Sequence, residues 1–194
     1  RTLLASASIL LSLGAMAQLP VSTTPSNKNV VLEEFTGIYC VYCPDGHLRA
    51  EQLRSANPND VFLINIHTGS YAAPGAGDPD FRTAFGAAIA GQSGLTGYPA
   101  GTINRHLFPG MQQGSGTAMS RGDWATAGGQ ILTEASYVNV ALEADMDVAT
   151  RVMSVDLEAY FTANGASSMN INVAVTQNNI EGPQTGGSSY NPGQ

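Results

Sequence analysis

The two cysteines of this 194-residue chain are spaced as Cys40-Val41-Tyr42-Cys43. They directly follow the apolar run Val30-Val31-Leu32-Glu33-Glu34-Phe35 and precede a stretch that can be helical. A disulfide closing so small a ring gains only roughly 2 kcal/mol from loop entropy, against about 3 for a fifteen-residue loop, so it would be a poor staple. As a reversible couple the pair is well placed. A sulfur at a helix N-terminus faces unpaired N–H groups and the positive end of the helix dipole, which favour thiolate over thiol. The thiolate is the species that attacks disulfides. His47 lies four residues after Cys43, on the same helical face, where it can tune the thiols or join them as a metal ligand. Three ligands without a fourth do not make a zinc or copper site, so neither a metal nor a cofactor is expected.

The elements that must position the pair follow from hydrophobic patterning. Asn29 to Phe35 reads as a strand covered on both faces. Tyr42 to about Ser55 reads as a helix ending at Asn57-Pro58-Asn59-Asp60, and Val61 to Ile66 as a second buried strand. Strand, helix and strand at this spacing make a parallel crossover unit. A loop rich in Gly and Pro, Gly69 to Pro79, leads to a helix from Asp80 to about Gly91, with Phe81, Phe85, Ala88 and Ile89 at helical spacing. Tyr98-Pro99 then opens a short strand, residues 109–119 read as a mobile Gly-rich loop, and Trp124 to Glu134 is the last helix, with Asp123 as its N-cap. Beyond it the period changes to two. Val138 to Leu142, Met153 to Phe161 and Met169 to Val175 read as half-buried antiparallel strands, joined at Asp145-Met146-Asp147 and at Asn164-Gly165. The fold class expected is therefore α/β over residues 29–135, followed over 136–194 by the beginning of an all-β antiparallel domain.

Residues 1–17 read as an export signal: Arg1, an apolar stretch from Leu3 to Leu13, then Ala15-Met16-Ala17 before Gln18. That stretch is too short to span a bilayer comfortably, and no later segment is apolar enough for a membrane helix. Residues 18–28 read as a flexible lead-in. A chain without an initiator Met that stops at Asn191-Pro192-Gly193-Gln194 reads as a fragment at both ends. The net charge of -7 argues against a nucleic-acid partner, and Lys28, the only lysine, leaves no basic cluster for anionic lipid. A soluble exported protein in a compartment where disulfides persist is the expectation.

The run Glu34-Phe35-Thr36-Gly37-Ile38-Tyr39-Cys40-Val41-Tyr42-Cys43, with the later Tyr98-Pro99, resembles the thioredoxin superfamily. The resemblance implies an aromatic before the first cysteine at Tyr39, a buried acid at Glu34, and a cis-proline at Pro99 that opens a strand beside the disulfide. More narrowly, Leu32-Glu33-Glu34-Phe35-Thr36-Gly37, Cys-x-x-Cys-Pro, Gly97-Tyr98-Pro99 with Ile103-Asn104-Arg105, and Glu181-Gly182-Pro183-Gln184 resemble the outer-membrane-protein-twenty-eight-related family of Gram-negative bacteria. That family joins an exported thioredoxin-like domain to a β-sandwich, which implies a place in the periplasm or at the outer membrane and cell surface. Two departures stand out: Pro44 and Gly46 in the first helical turn, and no evident extra strand within 106–119.

Two function classes follow. In one, Cys40 attacks a disulfide and Cys43 resolves the mixed disulfide, Pro99 and Tyr98 shape the groove, Glu34 shuttles a proton, and the partners are protein thiols or disulfides. In the other, an envelope binding or structural protein keeps the scaffold with an inert disulfide, and Glu34 is an ordinary strand carboxylate. His67, at a strand end, and His106, in a loop, read as structural or solvated. Arg121-Gly122-Asp123 spells an adhesion tripeptide, but Asp123 is better explained as a helix cap.

Overall fold

The computed structural model describes residues 19–166 and 168–186; the signal segment expected at 1–17 and the chain end at Asn191-Gln194 lie outside them. The elements are β1 (Val30–Thr36), α1 (Cys43–Ala56), β2 (Val61–His67), a 3-10 turn (Ser70–Ala72), α2 (Ala84–Ser93), β3 (Ala100–Ile103), β4 (Met119–Ser120), α3 (Trp124–Leu132), β5 (Val138–Asp147) and β6 (Val152–Phe161). The fold is α/β. Its four-stranded sheet has the order β2-β1-β3-β4, and β5-β6 form a separate two-stranded sheet. β1 is parallel to β2, with Val30 opposite Val61 and Thr36 opposite His67, and antiparallel to β3, with Leu32 opposite Ile103.

Strand periodicity divides the β1 side chains between two layers. Val30 and Leu32 enter a core with Ala50 and Leu53 of α1 and Trp124, Ala127 and Ile131 of α3. Phe35 enters the opposite core with Ile66, Ala90 and Ala100, beneath α2. Glu34 and Thr36 share parity with Leu32 and so lie on the α1 side, whereas Glu33 faces away. Glu33 is itself buried and meets Arg105 through two hydrogen bonds of 2.8 and 2.5 Å, which raise the guanidinium pKa further. Arg105 and Asn104 both have positive φ, 48° and 51°. The Asn104 carboxamide holds that turn, accepting from the Val31 N–H at 2.6 Å and donating to the Asn29 carbonyl at 2.8 Å.

Several expected elements are corrected. β2 is a sheet edge, with Phe62 50% exposed, because among the described residues its outer side meets no strand, only a single bridge from His67 to Arg82. The second helix begins at Ala84, capped by Thr83, whose hydroxyl accepts from the Gly86 N–H at 2.9 Å, so Phe81 precedes it. Its buried face is Gly86, Ala90 and Ser93, and Phe85 is 84% exposed. Gly86 explains the rotation: a Cβ there would come within 2.8 Å of Ile66. Asp123 precedes α3 but makes no side-chain cap. A fourth sheet strand does exist at Met119–Ser120, antiparallel to β3, too short to leave an alternating signature.

The chain divides into two compact units. One is Ser26–Ser136 with the tail from Ala166; in it Lys28 donates its backbone N–H to Glu134 at 2.9 Å and its ammonium pairs with the Glu134 carboxylate at 2.6 Å. The other is the segment up to Pro25 with Tyr137–Gly165, a long β5-β6 hairpin in which Asn139 donates to the carbonyls of Ser22 and Thr24. Asp145-Met146-Asp147 is strand rather than turn, since β5 continues to Asp147. There the carboxylate accepts from the N–H groups of Ala149 and Thr150 and closes the turn itself. Met169 to Val175 lies outside any strand: alternation makes a strand only where a neighbouring edge pairs with it.

Trp124, 1% exposed, packs at the centre of the α1–α3 layer and donates its indole N–H to the Met119 carbonyl at 3.4 Å. Trp124→Ala is expected to cost about 3–5 kcal/mol, and Phe85→Ala, on the exposed face of α2, no more than about 0.5 kcal/mol. Urea unfolding followed by circular dichroism measures both, since Trp124 is the chain's only tryptophan.

Candidate functional site

The site forms where the carboxyl end of β1 meets the first turn of α1. Cys43 is the first residue of α1 and Pro44 stands in its first turn, where the missing N–H lacks a helical partner in any case. Tyr42, at the N-cap, supplies no side-chain cap, and Asp45 adds an acidic group favoured near the positive end of the dipole. The Asp45 carboxylate accepts from Arg49 at 2.9 Å and from Arg121, which lower its pKa. Arg121 also stands over the Tyr42 ring. The arginine of the Arg121-Gly122-Asp123 tripeptide is thereby committed to the turn that carries the cysteines.

Cys40 and Cys43 are joined as a disulfide, with an S–S distance of 2.07 Å. Both are buried, Cys40 at 3% exposure and Cys43 at 0%. The buried stripe of α1 continues through Gly46, Ala50 and Leu53, alternately three and four residues apart. Gly46 has a specific reason to be glycine. A Cβ there would lie 2.6 Å from Glu34 Oε1 and 3.0 Å from Cβ and Cγ of Pro99. The acid, the proline and the first turn of α1 therefore converge on one point. The Tyr98-Pro99 peptide is cis. Its loop is held by Gln113, whose side-chain oxygen accepts from the N–H groups of Thr96 and Gly97, each at 3.2 Å.

Glu34 is fully buried. Its Oε2 lies 3.1 Å from His47 Nδ1, and its Oε1 is buried without a hydrogen-bond partner. Burial pushes its pKa up, and the contact with His47 pulls the other way. The opposite ring nitrogen of His47, Nε2, lies 3.3 Å from Thr36 Oγ1. His47 thus spans two same-face residues of β1, and its side chain remains 31% exposed.

The aromatic residues serve the surrounding loop. Tyr39 donates its hydroxyl to Asp78 and accepts from the Gly75 N–H at 2.8 Å, which ties down the Gly- and Pro-rich loop; the Asp78 bond raises the phenol pKa. Tyr98 meets Tyr71 edge to face at 5.6 Å, and burial raises its pKa. His67 proves to be near the site after all. It stacks edge-on with Phe81 at 5.1 Å and lines a shallow groove with His47, Pro44 and Asn65. Burial, together with the charge of His47, lowers its pKa.

The far wall of that groove is the C-terminal tail, Ile180 and Gly182 to Gln184. The Gln184 carboxamide donates to the carbonyls of Gly37 at 3.3 Å and Cys40 at 3.1 Å, and the Thr185 N–H donates to the Ile38 carbonyl at 2.7 Å. The Glu181-Gly182-Pro183-Gln184 run marks this segment in the sequence, though nothing there brings it to the cysteines. Among the described residues, no group of three or more His, Cys, Asp and Glu side chains is arranged to hold a metal ion.

No family model and no curated protein matches the chain. Among solved structures, HBP35 of Porphyromonas gingivalis is similar, with 22% identity and a TM-score of 0.46 over 61% of this chain. The match spans 38% of HBP35, well under half its length.

Two substitutions test this geometry. Gly46→Ala improves helix propensity by about 1 kcal/mol, yet it is expected to destabilise the fold by about 1–3 kcal/mol because the new methyl meets Glu34 and the rigid Pro99 ring. Glu34→Gln removes a group whose folded-state pKa is raised. The stability that such a group contributes is complete below the ordinary glutamate range and is lost as pH rises through the folded value. Wild type should therefore lose stability relative to Glu34→Gln across that window, by up to about 1.4 kcal/mol per pH unit, in urea unfolding over a pH series.

Proposed function

We propose that this chain is an exported thioredoxin-like protein of thiol–disulfide exchange. The observation that carries this reading is the Cys40–Cys43 disulfide at the N-terminus of α1, one helical turn from Gly46, against which a buried carboxyl oxygen without a hydrogen-bond partner lies. In the reduced state, the positive end of the α1 dipole favours the Cys40 thiolate. That thiolate attacks a substrate disulfide, one substrate sulfur leaves as thiolate, and Cys43 then attacks Cys40 to release the other. Glu34 takes the Cys43 proton, while Pro99 and Tyr98 border the approach to the sulfurs. The partners are protein thiols or disulfides. The export pattern of residues 1–17 and the resemblance to the outer-membrane-protein-twenty-eight-related family support a place in the periplasm or at the outer membrane of a Gram-negative bacterium.

A second reading has its own support. Both sulfurs are buried, and the tail is bonded to the loop that leads into Cys40, as suits an envelope binding or structural protein with a permanently closed disulfide.

Alkylation of the reduced protein separates the two. Exchange chemistry requires Cys40 to be labelled at a pH well below the unperturbed thiol value of about 8.5, with Cys43 labelled much more slowly. Equal and slow labelling of both would favour the structural reading.

A further inference from the structure

The geometry points to His47 as a proton-relay residue that connects buried Glu34, and through it the Cys43 thiol, to solvent in the groove between α1 and the C-terminal tail. The inference rests on the exchange reading above and concerns how the resolving proton leaves. Glu34 is fully buried, and among the described residues the side chain hydrogen-bonded to its carboxyl is His47, whose ring is part-exposed and lines the groove. Glu34 Oε1 lies against Gly46, one turn below Cys43 on the same face of α1. Positions three apart on a helix are about 5–6 Å apart at Cβ, a span that one water bridges.

The step balances as follows. The resting carboxyl holds its proton on Oε2, toward His47 Nδ1. When Cys43 attacks the mixed disulfide Cys40–S–S–R, its Sγ–H bond breaks and the proton passes to Glu34 Oε1, while Oε2 gives its proton to Nδ1. The Cys43 electron pair forms the Cys43–Cys40 bond, and the pair of the Cys40–S bond leaves on the substrate thiolate. His47, now imidazolium, loses its Nε2 proton to groove water; rotation of the carboxyl, with water exchanging the imidazole back from the Nδ1–H to the Nε2–H tautomer, resets the relay. The rise in the Glu34 pKa through burial suits a carboxyl that rests protonated. Thr36 Oγ1 accepts at Nε2 and holds the ring in register. The titratable groups meeting His47 from the sheet are Glu34 on β1 and His67 on β2; the tail residues that line the groove with it, Ile180 and Gly182 to Gln184, are uncharged.

The test is stopped-flow reaction of the reduced protein with a small aromatic disulfide that releases thionitrobenzoate. The first release reports attack by Cys40, and the second reports resolution by Cys43. In His47→Gln, which keeps a polar side chain of similar reach, and in His47→Ala, the second phase should slow by about tenfold or more relative to the first, at the low end of what general acid–base catalysis supplies. Free imidazole should restore it in His47→Ala. Loss of the His47 contact should also move the inflection of the second-phase pH profile upward, since that contact lowers the Glu34 pKa. An unchanged ratio of the phases, or a slowed second phase that imidazole does not restore, would overturn the relay while leaving exchange intact. A wild-type protein with no rapid first phase would overturn the exchange reading, and the relay with it.

Discussion

An ionised carboxyl taken out of water without a partner costs several kcal/mol, so a fully buried glutamate must be neutral, paired or both. Glu34 is the residue around which this unit is arranged. The alternation of β1 sends it toward α1, and Gly46 leaves the space its carboxyl fills. His47, on the next position of the helix, supplies the one partner and Thr36 orients that partner from the same strand face. The neighbouring Glu33 meets the same constraint differently. Facing the opposite layer, it is matched by the fixed charge of Arg105 in a two-bond pair. Two adjacent acids thus meet burial differently, one in a two-bond guanidinium pair and one against an imidazole with its second oxygen unpartnered.

Much of this was legible from local pattern because the interactions are local. The apolar run into β1, the helix breaker at Asn57-Pro58 and the apolar Val61 to Ile66 together define the crossover, and β1 and β2 pair in parallel as that pattern requires. The i, i+4 spacing placed His47 on the Cys43 face. What alternation alone does not reveal is which strand acquires a neighbour. β2 carries a buried-strand sequence yet lies at the edge, and Met169 to Val175 alternates without pairing. In α2, rich in Ala and Gly, spacing of the large residues misplaced the buried face, because Gly86 permits an approach to Ile66 that no phenylalanine could make.

The tail shows the same limit at longer range. Gln184 and the cysteine loop are 144 residues apart, and the contact between them is made chiefly to backbone carbonyls, which leave no trace in residue type on the receiving side. Its energetics differ from those of the sheet. Hydrogen bonds of this kind contribute about 0.5–1.5 kcal/mol each, and the tail residues 180–183 are otherwise exposed. Local opening of such a segment costs far less than opening the sheet, whose β1 is flanked on both sides and buried along nearly its whole length. The tail is thus bonded to the loop that leads into Cys40 through backbone carbonyls, while the burial of Glu34 belongs to the core. The two are therefore held by interactions of different strength, and the part-exposed ring of His47 is where the buried carboxyl meets the groove.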